Sequence, residues 1–197
     1  MPFDYDAPIY YPPYENRSIL IPASYGCPHN QCAFCSMYKD TPYREVSLLD
    51  IKQSIREVSE YRPYSERVFL LGGQSFCLKA DKLKEILRYI RERLPLCEAV
   101  SMYASIRSVA DKTDADLAEL KALGLGKLYI GVETVSYTHL SAGFSLSKEP
   151  DAGDPGGHHQ TAKKRLVHPQ ALDVFEEQLP PQASGFLEVG PMGVWFP

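Results

Sequence analysis

The sequence predicts an α/β fold: a truncated, partial (β/α) barrel of about four βα units, followed by an irregular tail. Three observations lead there. Apolar runs of five to seven residues alternate with helical stripes of ten to fourteen. Each run leads into a polar or glycine-rich loop, the place where barrels carry their chemistry. The alternation then ends near Ser136. A doubly wound sheet shares the local pattern, but the loop after the first run holds cysteines where such a sheet has a phosphate-binding glycine turn.

The elements follow in order. Residues 1–17 form an N-terminal arm; its Ile9-Tyr10-Tyr11-Pro12-Pro13-Tyr14-Glu15 lead is read as extended, because proline fixes φ and removes amide donors. Ser18–Pro22 is a short buried strand. Ser47 is an N-cap for a helix over Leu48–Tyr61, with Leu48, Ile51, Ile55 and Val58 at helical spacing and Pro63 just beyond as a stop. Arg67–Leu71 is the second strand, closed by Gly72-Gly73. Leu83, Ile86, Leu87, Ile90 and Leu94 make the stripe of a second helix that ends at Pro95. Ala99–Tyr103 is a third strand. Thr113 caps a helix carrying Leu117, Leu120 and Leu123, with Gly124 at the position after its C-cap, and Lys127–Glu133 is the fourth strand.

Residues 18–135 therefore form the core, and residues 136–197 an irregular tail rich in turn formers such as Asp151–Gly157, with a helix expected only over Ala171–Leu179. A core with four strands built is not expected to run into so long a structureless segment. Val135-Ser136-Tyr137-Thr138-His139-Leu140 resembles a reading-frame translation of a transposon end used in preparing sequencing libraries. On that likeness the tail is read as chimeric or non-native, joined to a truncated gene.

Composition narrows the function. Lysine and arginine number 21 against 25 acids, a formal net charge of −4. That balance excludes a general nucleic-acid or membrane-surface binder, although a local basic groove is compatible with it. The acidic start Met1–Asp6 lacks the positive charge of a secretory leader, and no apolar run is long enough to span a bilayer. The expected setting is a reducing cytoplasm, where five cysteines do not form a disulfide framework.

Three of those cysteines lie in Gly26-Cys27-Pro28-His29-Asn30-Gln31-Cys32-Ala33-Phe34-Cys35. Three thiolates on one loop can hold three irons of a four-iron cubane, leaving the fourth without a protein ligand. A vacant metal position is where a cofactor or substrate coordinates. The competing reading is a zinc knuckle with His29 as fourth ligand. His29 stands two residues from Cys27, a poor spacing for a closed tetrahedron, and no second CxxC pair exists. Cys77 and Cys97 lack ligand spacing and are read as buried small hydrophobes.

This cysteine loop, set after a first strand and with an aromatic residue before its last cysteine, resembles that of the radical S-adenosylmethionine (radical SAM) superfamily. The resemblance covers roughly Pro12–Glu133. Its spacing is CxxxxCxxC where the superfamily usually has CxxxCxxC. The longer spacing, the Pro12-Pro13-Tyr14-Glu15 lead and the Cys27–Cys32 segment resemble a branch near oxygen-independent coproporphyrinogen oxidase and Elongator- and nitrogenase-cofactor-like radical proteins.

The resemblance implies a 4Fe–4S cluster on Cys27, Cys32 and Cys35, with S-adenosylmethionine chelating the open iron. Reductive cleavage of that cofactor gives a 5′-deoxyadenosyl radical, which abstracts hydrogen from a substrate; the reductant is a flavodoxin or ferredoxin. It further implies cofactor contacts at Phe34 beside the adenine, at Gly72, Gly73 and Gln74 beside the methionine amino group, and at Ser105, Arg107 and Glu133 on later strand ends. Gln74 stands where the family carries an acid, keeping an acceptor and losing a charge.

Two other functions fit the cysteines: a non-catalytic iron–sulfur electron-transfer protein and a structural zinc module. The leading reading is a radical SAM enzyme fragment with about four of six strand–helix repeats, which as truncated binds a cluster and turns over nothing. For the tail, sequencing of the source locus across the codon for Glu133 is expected to show the native frame departing from Ser136–Pro197; an uninterrupted native frame would refute the chimera.

Overall fold

The structure, a computed structural model, describes residues 9–32 and 35–131, and the backbone of two short strands at 188–190 and 193–195. Phe34, Glu133, the junction expected at Val135–Leu140 and the helix expected at Ala171–Leu179 lie outside the described residues.

The arm contains a single turn of 3-10 helix at Pro13–Glu15, where a fully extended lead was expected; Pro13 at its first position has φ preset for the turn. Strand β1 (Ile19–Pro22) follows, then the short β2 (Ser24–Tyr25) and β3 (Arg44–Glu45), which pair antiparallel. Helix α1 (Leu48–Tyr61) is capped as expected: the Ser47 side chain accepts from the Asp50 amide at 3.1 Å. Next come β4 (Arg67–Leu71), α2 (Ala80–Arg93), β5 (Ala99–Ala104), α3 (Ile106–Ala110), α4 (Asp114–Ala122) and β6 (Leu125–Ile130). The tail adds β7 (Glu188–Gly190) and β8 (Gly193–Trp195), where no strand was expected.

Strands β1, β4, β5 and β6 form a parallel sheet in that order, and β8 pairs antiparallel to β6, with β7 outside it. Each parallel strand lies beside the next in sequence, as βαβ repeats require. The alternating side chains divide the sheet into two faces. On one, Ile19, Ile21, Val68, Leu70, Val100, Met102, Leu128 and Ile130 pack with Ile51 and Ile55 of α1, the α2 stripe and Leu117 and Leu120 of α4. These side chains are all but inaccessible to solvent, and removing any of the large ones would leave a cavity.

The second face is smaller and aromatic. Phe69, Leu71 and Tyr129 are buried there with Leu20 and Tyr103 packed against them. Phe69, Tyr103 and Tyr129 meet edge to face, with centroids 5.4–6.1 Å apart. Burial pushes the Tyr103 phenol up to about 12.

The arm is tied to this face. Glu15, only 1% exposed, accepts a hydrogen bond from the Tyr129 hydroxyl at 2.6 Å and another from Ser18. Burial, then the bond to Glu15, raises the Tyr129 phenol above its ordinary value. A buried carboxylate needs such donors, since its desolvation is otherwise uncompensated.

Two differences from the sequence reading have local causes. Strand β6 was expected over Lys127–Glu133 but starts at Leu125. A register shift between Val100 and Ser101 lets it pair earlier, and Gly126 fits because a Cβ there would meet that of Ala99 at 2.6 Å. Helix α3 was not expected; at five residues it is too short for a stripe and rests on a capping box between Ser105 and Ser108. The cap at Thr113 and Gly124 after the end of α4, with φ +106°, are as expected.

Tyr129→Phe leaves Glu15 buried with one donor fewer. It is expected to lower unfolding free energy by about 1–3 kcal/mol, read as a lower urea midpoint at unchanged slope; an unchanged midpoint would mean the bond contributes nothing.

Candidate functional site

The three loops that leave the C-terminal ends of β1, β4 and β5 come together at one edge of the sheet. The first is held by a stem. Strands β2 and β3 pair Ser24 with Glu45 and Tyr25 with Arg44, the Arg44 guanidinium lies 3.9 Å from the Tyr25 ring centre, and Ala23 bonds to both Leu71 and Val46. The cysteine loop is everything between these two short strands.

Gly26 opens that loop with φ +66°, and a Cβ there would stand 2.6 Å from the Thr41 carbonyl oxygen. Its own carbonyl accepts from the Gly73 amide at 2.9 Å, which joins the cysteine loop to the turn after β4. Gly73 has no room for a side chain: a Cβ would lie 2.8 Å from the Cys27 Cβ and 2.9 Å from the Tyr38 ring. Gly72 is similarly crowded by the Ser24 hydroxyl. That hydroxyl is buried with no hydrogen-bond partner among the described residues.

Within the loop, Asn30 takes φ +41° and donates from its side chain to the Tyr38 carbonyl at 2.8 Å. The Cys35 amide bonds the Cys32 carbonyl at 3.2 Å, closing a turn between the last two cysteines. Lys39 reaches the Cys32 and Asn30 carbonyls. Tyr38, 6% exposed, packs edge-on against Tyr10 of the arm with centroids 5.1 Å apart. Burial raises its phenol first, and the neighbouring Tyr103, Tyr10, Cys27 and Cys35 raise it further. One buried ring thus stands beside two of the three cysteines.

Cys27, Cys32 and Cys35 are each half-buried and in no disulfide among the described residues. Among the described residues, no three His, Cys, Asp or Glu side chains gather closely enough to hold one metal ion. His29, the fourth ligand of the zinc alternative, is exposed. The donor set itself, three soft thiols on one partly open loop beside a turn without side chains, fits an iron–sulfur cluster whose irons take one thiolate each.

The second and third loops also meet. The Gln74 amide donates to the Ser105 hydroxyl, which itself accepts from the Ser108 amide at 3.1 Å as the cap of α3. Arg107 lies in α3, exposed and in no ion pair among the described residues. Gly72, Gly73, Gln74 and Ser105 are therefore drawn to the cysteine edge, while Arg107 sits outside on the helix surface.

Cys77 is half-buried, as expected of a small core residue, but it also contacts the Tyr43 hydroxyl at 3.1 Å, and burial pushes its thiol up despite that bond. The sequence reading missed Tyr38, Tyr43 and Ser24. Only Tyr38 had a signal, three residues after Cys35 in the same loop.

The profile of the Radical SAM superfamily matches residues 21–144, more than half of the chain. The chain belongs to the radical SAM superfamily, whose chemistry is S-adenosylmethionine-dependent radical chemistry at an iron–sulfur cluster. No curated protein and no solved structure matches it. Among the described residues no helix is long and apolar enough to cross a membrane.

Gly73→Ala forces the Cys27 backbone or the Tyr38 ring to move. Overpacking of this kind costs about 1–3 kcal/mol, so the variant should melt earlier and its Cys27 thiol should react faster with a thiol reagent than in the parent; equal melting and reactivity would show that the niche yields freely.

Proposed function

We propose that this chain is the cofactor-binding part of a radical SAM enzyme, with Cys27, Cys32 and Cys35 as ligands of a 4Fe–4S cluster. The observation that carries the reading is the seating of the cysteine loop: three half-buried thiols stand on a loop held by the β2–β3 stem, with Cys27 packed against Gly73, inside the segment matched by the superfamily. When bound, the cluster and S-adenosylmethionine together supply one-electron cleavage of a carbon–sulfur bond and, through it, hydrogen abstraction from substrate.

This chain's residues then bind and orient. Gly73 keeps a side chain out of the space beside Cys27, and Gly72 out of the space beside Ser24, so that a ligand's polar groups can approach the backbone. Gln74, steadied by Ser105, offers its side-chain carbonyl to an ammonium group. Arg107 suits a carboxylate by its fork geometry, once that ligand reaches the surface of α3. Phe34 and Glu133 complete the proposed set, against the adenine and at the end of the fourth strand. Tyr38 and the aromatic face wall the site from water on the arm side.

The CxxxxCxxC spacing and the Pro12–Glu15 lead support a place near the coproporphyrinogen oxidase-like and Elongator-like branch, with a flavodoxin or ferredoxin as reductant and the cytoplasm as setting. The substrate-contacting strands belong, in this reading, to a longer parent.

After anaerobic loading with iron and sulfide, the protein is expected to show a charge-transfer band and, with dithionite and S-adenosylmethionine, to release 5′-deoxyadenosine. Cys32→Ala should lose both. Cluster binding without any cleavage would indicate an electron-transfer protein instead, and zinc without iron or labile sulfide a structural module.

A further inference from the structure

At the opposite edge of the sheet, where β1 and β4 begin, a groove of about 360 Å³ runs between the arm and the turn that follows α1. It is lined by Arg17, Arg62 and Arg67 with Tyr61, Tyr64 and a single acid, Glu66. In a chain with an excess of acids, three guanidiniums to one carboxylate is a local reversal of sign. Among the described residues none of the three arginines is in an ion pair.

Arg62 is held in place, its Nη2 donating to the Arg17 carbonyl at 3.1 Å, and it thereby joins the two walls. The tyrosines have the opposite character. Tyr61 and Tyr64 are 81% and 80% exposed, leaving both rings open to stack.

We propose that this groove is a second binding site, for a nucleoside phosphate: guanidiniums for the phosphate, tyrosine faces for the base. Each half of that chemistry matches a known preference. Arginine takes phosphate oxygens in bidentate fashion, and exposed aromatic rings stack bases of any sequence. An acidic peptide would use the arginines and leave the rings idle, so the tyrosines favour the nucleotide. The same chemistry is presented by a free mononucleotide and by a single-stranded nucleic acid, and the volume suits one nucleotide unit at a time. The site lies away from the cysteine loop and does not depend on what that loop binds.

The test uses the 197-residue chain with AMP, adenosine, inorganic phosphate, polyglutamate and a fluorescein-labelled single-stranded RNA decamer, by calorimetry and fluorescence anisotropy. AMP should bind at least tenfold more tightly than either adenosine or phosphate. Arg17→Glu and Arg67→Glu should each weaken binding about tenfold or more and lower the salt slope by about one for the decamer. Tyr64→Ala should weaken it about tenfold while leaving that slope alone. Circular dichroism melting at the parent's temperature shows that each variant is folded, and an unchanged rate of thiol modification at the cysteine loop shows that the far edge is intact. Decamer binding well beyond AMP assigns the site to nucleic acid; equal binding assigns it to free nucleotide. Polyglutamate binding as tightly as the decamer, phosphate binding as tightly as AMP, or indifference to both arginine variants would overturn the proposal.

Discussion

The candidate site depends on one close approach. The Gly73 amide bonds the Gly26 carbonyl, and the backbone at Gly73 lies where any side chain would strike Cys27 or Tyr38. The cysteine loop has few regular hydrogen bonds of its own, because almost nothing in it is helix or strand. Its position is borrowed from the sheet through this contact and through the β2–β3 stem. The strand β4 is itself locked between β1 and β5, so the loop inherits the rigidity of the most buried part of the molecule.

Much of the fold was legible because its elements are bounded by local chemistry. Ser47 and Thr113 are caps whose side chains bond the amides three residues on, and the stripe Leu83, Ile86, Leu87, Ile90 reports one buried face with no competing pattern. Strand β4 was equally plain, a run of Val68, Phe69, Leu70 and Leu71 buried on both sides, as parallel sheets demand. The cysteines declared themselves by spacing alone. Their likeness to a family, rather than any periodicity, connected Gly72, Gly73 and Gln74 to the same place.

What escaped the sequence depends on partners distant along the chain. The start of β6 follows from a register shift in β5, which no window around Gly126 contains. Glu15 reads as one more surface acid until Tyr129 is known to donate to it. Tyr38 has the same composition cue as a dozen other tyrosines, and its burial between Tyr10 and the cysteine loop is a tertiary event. The arginine groove is likewise invisible in net charge, since Arg17 is brought to Arg62 and Arg67 by the pairing of β1 with β4 and by the Arg62 hydrogen bond to its carbonyl.

The bond between Glu15 and Tyr129 also has a meaning in time. Its two ends are 114 residues apart in the sequence, so during synthesis the opening turn waits, with its carboxylate still hydrated, until Tyr129 has emerged from the ribosome. The bond that ties the arm to the aromatic face is therefore unavailable while the first three parallel strands are being made. A contact between positions so far apart adds loop-closure cost that only the assembled sheet offsets.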